Sequence, residues 1–80
     1  MLQASLGGGF GAQRSGLHAS ILAAVAYDEL CSRFQIEITF EPQAIIIQGR
    51  VPHAAARRAR EIIIAVAGAV PVWDRTFWVD

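Results

Sequence analysis

Phe34-Gln35-Ile36-Glu37-Ile38-Thr39-Phe40, followed after Glu41-Pro42-Gln43-Ala44 by Ile45-Ile46-Ile47-Gln48-Gly49-Arg50-Val51, is the stretch whose reading decides the fold. The first run alternates without a fault. Its four large apolar side chains point one way and its three polar ones the other, as in a strand with one buried face. Pro42 supplies the fixed φ of a turn position. The second run is rich in β-branched residues and reads as the partner strand, with Gly49 marking a bulge or a close backbone approach. Ile45, Ile47, Gly49 and Val51 share one face of it; Ile46, Gln48 and Arg50 share the other. Ile46 is therefore expected as an exposed apolar residue on the polar face.

Upstream, Ser15 can cap a helix from Leu17 to Arg33, with Leu17, Ile21, Ala24 and Val25 at helical spacing and Leu22, Ala26 and Leu30 in an adjoining row. Met1–Gly16 holds five glycines without any period, which predicts a flexible arm over residues 1–16. No Gly-Lys-Ser/Thr follows, so the glycines do not form a phosphate-cradling loop. Downstream, Pro52 opens a second helix that runs to Ala67. Ala55, Ala59, Ile62, Ile63 and Val66 make its buried stripe, and Ile64 falls outside it. Gly68 suits the position after the helix, and residues 70–79 read as a strand in which Pro71 imposes an edge position or a late start. These elements predict an α+β domain over residues 17–80, in the order α-β-β-α-β. Its small three-stranded mixed sheet has two helices packed on one face.

Eighty residues make one domain, and a chain of this size buries only about 60% of the surface it exposes unfolded. Apolar residues plus glycine number 49 of 80, above the roughly 45–50% of ordinary soluble domains, which predicts that part of the surplus lies at a contact surface. Seven basic residues balance seven acidic ones, so whole-molecule attraction to nucleic acid or to an anionic membrane is excluded, and nucleic acid is not expected as a partner. All seven basic residues are Arg. That composition fits phosphate or carboxylate recognition, and equally fits the codon usage implied by 14 Ala. Cys31 is alone and reads as a small core hydrophobe. Leu17–Ala26, ending Ala24-Val25-Ala26, imitates a signal peptide. The helix reading is preferred, because the hairpin needs this segment as a cover.

His18 and His53 lie far apart with no carboxylate at ligand spacing, so no metal site, cofactor or catalytic residue is expected. Arg57, Arg58 and Arg60, with Arg50 on the neighbouring strand, are candidates for a lipid- or anion-binding patch; the alternative is a solvated helix face partly neutralised by Glu61. Trp73 and Phe77 alternate onto one face of the last strand and Trp78 onto the other, so one Trp is expected in the core and one as an interface anchor. Ile46, Ile64, Trp73 and Trp78 are the candidate interaction surface.

Ile45-x-Ile47-x-Gly49-x-Val51, an Arg/Ala-rich helix, and Gly68-Ala69-x-x-Val72 before a final strand resemble the BON domain, and the match runs from about Leu17 to Val79. Asp74 and Thr76 stand where that family usually carries Asn and Leu, which leaves open an inward orientation for Trp73, Phe77 and Val79. The resemblance implies a small accessory module of bacterial envelope and stress-related proteins that contacts phospholipid or another envelope component. The second function class is structural, a domain packing against a copy of itself or a neighbouring domain through exposed Ile and Trp side chains.

Overall fold

The computed structural model describes residues 9–80, and side chains from residue 16 onward. Helix α1 (Gly9–Ala26) and a 3-10 turn (Cys31–Arg33) precede strands β1 (Glu37–Phe40) and β2 (Ile45–Val51). Helix α2 (His53–Ala67) and strand β3 (Val72–Trp78) follow. The sheet has the order β1-β2-β3, with β1 antiparallel and β3 parallel to β2. This is the α+β arrangement expected from the sequence.

Ile45 and Ile47 point from the central strand onto Ile21 and Val25 of α1 and Ala59 and Ile63 of α2, forming one buried cluster. Ile21, Ile47 and Ile63 are fully buried, and each such side chain contributes roughly 1.5–3 kcal/mol through burial. A second cluster joins Val51 to Ala55 and Ala56, where small side chains let the first turns of α2 approach the sheet. Ala56 thus joins the buried stripe of α2, whereas Val66 lies exposed.

Several boundaries differ from the sequence reading. α1 begins at Gly9, ahead of Leu17, so residues 9–16 of the expected arm continue the helix; residues 1–8 lie outside the described residues. α1 ends at Ala26 and not at Arg33. The cause is Asp28, whose carboxylate accepts the backbone N–H groups of Leu30 and Cys31, each at 3.1 Å, and so turns the chain out of the helix. β1 starts at Glu37 and not at Phe34. At Gly49 the Gln35 carbonyl oxygen lies 2.6 Å from where a Cβ would stand, and Gly49 has φ 139°. The close approach expected at this glycine is therefore made by the backbone just upstream of β1. Gly68, at φ 86°, ends α2 by donating to the Ile64 carbonyl at 2.8 Å.

The outer sheet face corrects a further expectation. Ile46 is only 8% exposed, although it points away from both helices. As the middle residue across a three-stranded ladder it is flanked by Thr39 and Trp73, and the Glu41–Ala44 turn rises beside it. Central-strand neighbours cover a side chain that alternation alone had placed in solvent.

Candidate functional site: the outer face of the sheet

The register fixes what the open face carries. Residues paired across strands point to the same side, so Glu37 and Thr39, then Ile46, Gln48 and Arg50, then Trp73, Arg75 and Phe77 form one surface. Trp73 is 50% and Phe77 68% exposed, on a seven-residue strand at the sheet's edge. The Arg75 guanidinium lies 5.6 Å from the Trp73 ring centroid, and that of Arg50 lies 5.5 Å from the Phe77 centroid. Each cation covers one aromatic face while remaining hydrated, a geometry worth about 0.5–1 kcal/mol at an exposed position. Between Trp73, Arg75 and the Glu41–Ala44 turn lies an open cleft of about 410 Å³ with Ile46 as its floor. Trp73 and Phe77 do not turn inward; Val72 and Thr76 occupy the helix side of β3.

Trp78 belongs to a different place. It points to the helix side, where its ring stacks on His53 at 4.0 Å between centroids and its indole N–H donates to Thr76 Oγ1 at 2.9 Å. The Asp80 carboxylate accepts the His53 N–H at 2.9 Å, closing the amino end of α2; that bond holds the Asp80 carboxyl below its ordinary pKa. Trp78 is 53% exposed, so neither Trp is a core residue.

The four candidate arginines do not converge. Arg50 lies on the outer face, across the sheet from α2. Arg58 donates to Asp28 at 2.9 Å and approaches Glu61 at 4.0 Å. The Cys31 N–H first, and the Arg58 guanidinium as well, keep the Asp28 carboxyl below its usual range despite some desolvation. Arg57 and Arg60 remain exposed on α2, two turns and one turn before Ile64, which is 36% exposed. Arg75 was missing from the sequence-based site, although Trp73-x-Arg75-x-Phe77 alternation could have found it.

The free edge of β3 is occupied at one point by its own side chain. The Pro71 carbonyl and the Val79 N–H both bond to β2, so the odd positions face β2 and the even ones face outward. The outward N–H of Thr76 is taken by the Asp74 carboxylate at 2.9 Å, and the Thr76 hydroxyl donates to that same carboxylate. A backbone donor that a further strand could pair with is thus occupied.

Cys31 is buried against the Ala55 carbonyl, and burial pushes its thiol up to about 11. Among the described residues, no three His, Cys, Asp or Glu side chains converge, and no helix is long and apolar enough to cross a membrane. In comparisons with known proteins, the chain matches no family model and no curated protein.

Proposed function

We propose that this chain is a non-catalytic interaction module whose contact surface is the outer face of the sheet. The observation that carries this reading is the exposed Trp73 and Phe77 pair on a sheet face that, among the described residues, no element covers. Aromatic and Arg side chains are the types that dominate binding energy at protein contacts, and Arg50 and Arg75 sit beside these rings. The element order and the Gly49 and Gly68 positions support kinship with the BON domain.

A second reading, contact with anionic lipid as that kinship implies, is favoured by the exposed Arg57, Arg60 and Ile64 on one side of α2.

Amide chemical shifts of the isotope-labelled chain separate the two. Three arms are recorded: a concentration series of the chain alone, vesicles containing anionic phosphatidylglycerol, and a single-stranded oligonucleotide. The outer-face reading expects shifts at 46–50 and 73–77 in at least one arm. Shifts confined to α2 around Arg57 and Arg60, or none at the outer face in any arm, defeat it.

A further inference from the structure

We infer that the occupant of the outer face is a second copy of this chain, stacked face to face about a two-fold axis parallel to β2. This rests on the outer face being the contact surface. Glu37 pairs with Gln48, and Gln48 pairs with Arg75, so all three stand at one level across the sheet. Thr39, Ile46 and Trp73 form the next level. A two-fold along the central strand lays β2 over β2 and β1 of each copy over β3 of the other, and keeps every level opposite itself.

The facing residues then complement one another. Glu37, the acidic group among the paired strand residues of this face, comes opposite the partner copy's Arg75, and this happens twice by symmetry. Trp73 comes opposite the partner copy's Thr39, a small side chain that leaves room for the ring, and Ile46 meets Ile46 at the axis. Gln48 meets Gln48, a pair of amides that can each donate and accept. Arg50 would meet Arg50, but its guanidinium leans over Phe77 toward β3 and so away from the axis, which sends the two cations to opposite sides. Sheets stacked in this way sit about 10 Å apart, within reach of Arg and Glu side chains.

Two alternatives fit the face less well. A nucleic-acid strand would need the flat sides of Trp73 and Phe77 for base stacking, and Arg75 and Arg50 already lie over those rings. It would also meet Glu37. An added edge strand would meet the Asp74 carboxylate on the Thr76 N–H. The stacked contact is small, roughly 1,000 Å² in total from three strands of seven residues or fewer, which places the dimer among weak, concentration-dependent associations.

Sedimentation equilibrium from about 10 µM to about 1 mM should show the mass rising from 8.7 kDa toward twice that value. Arg75→Glu alone and Glu37→Arg alone should each weaken the dimer at least about tenfold, and the double exchange should restore it to within about threefold. Trp73→Ser serves as an independent variant and should also abolish the rise, with unchanged far-UV circular dichroism showing that it folds. A monomer at every concentration overturns the inference, as does a dimer indifferent to the charge exchange and to Trp73→Ser. Outer-face shifts induced by vesicles or oligonucleotide without any concentration dependence also overturn it, while leaving the outer-face reading intact.

Discussion

Replacing Gly49 by Ala tests the way the hairpin is built. A Cβ at this position would stand 2.6 Å from the Gln35 carbonyl oxygen and 3.7 Å from the Ile36 Cα. Real Cβ contacts essentially never fall below 3.0 Å, so one backbone must retreat by at least 0.4 Å (3.0 minus 2.6). No flexible side chain is available to absorb the shift. Gly49 also has φ 139°, a region in which an L side chain costs about 1–3 kcal/mol. Strain and displacement together set the expected loss at roughly 3 kcal/mol, against a total stability of about 4–12 kcal/mol for a chain of this length. The melting temperature should therefore fall by about 12–24 °C. Urea unfolding followed by circular dichroism at low protein concentration measures the loss without any contribution from self-association. Gly16→Ala is the control: among the described residues, no atom beyond the helix's own backbone lies within 4 Å of its Cβ, it stands inside α1, and the change should stabilise by about 0.5–1 kcal/mol. A loss below about 1 kcal/mol for Gly49→Ala would refute the close approach of Gln35.

Four further outcomes follow from particular contacts. Ile47→Ala removes a fully buried side chain at the meeting of sheet and both helices, and should cost about 2–5 kcal/mol in chemical denaturation. Asp28 has its folded pKa lowered from 3.8, so the stability it contributes is full above that value and drains as pH falls through the lowered one. Asp28→Asn should accordingly flatten the acid limb of the stability profile, read from melting temperature against pH. Asp74→Ala frees the outward Thr76 N–H, and dye-binding fibril assays should show faster aggregation than the parent chain. The Cys31 thiol, raised to about 11 by burial, should resist iodoacetamide near neutral pH and label only as fast as the chain opens in rising urea.

The hairpin and α2 were legible in the sequence because their signals are local. The alternation of Ile36, Ile38 and Phe40 and the helical spacing of Ala55, Ala59 and Ile63 need no knowledge of the partner element. The end of α1 was not legible in that way. Whether an Asp such as Asp28 bonds to backbone N–H groups two and three residues on depends on a competition with continued helix, which the residue type alone does not decide. Ile46 failed for a different reason. Alternation assigns a face, but burial on that face depends on which strand is central, and the middle position of β2 is set by the return of β3 through α2. Arg50 parts from the arginines of α2 for a related reason: strand alternation carries it to the face of the sheet opposite the helix. The site the structure offers was assembled by parallel pairing of β2 with β3, a contact that no stretch of sequence states.

That pairing also limits how the module can assemble. A three-stranded sheet has two exits from its own fold, along its edges and across its uncovered face. On β3, Asp74 takes the outward Thr76 N–H, a backbone donor that edge pairing would use. β1 is only four residues long, too short to offer a long template. The face keeps its aromatic rings in the open, with the charges of Glu37 and Arg75 at one level and on opposite outer strands. Two-fold stacking turns that separation into two identical contacts, whereas edge-to-edge pairing leaves Glu37 and Arg75 no nearer to opposite charge. If Asp74→Ala speeds fibril formation without changing the sedimentation dimer, the two exits are independent. If it strengthens the dimer, association runs along the edge and the stacked arrangement is wrong.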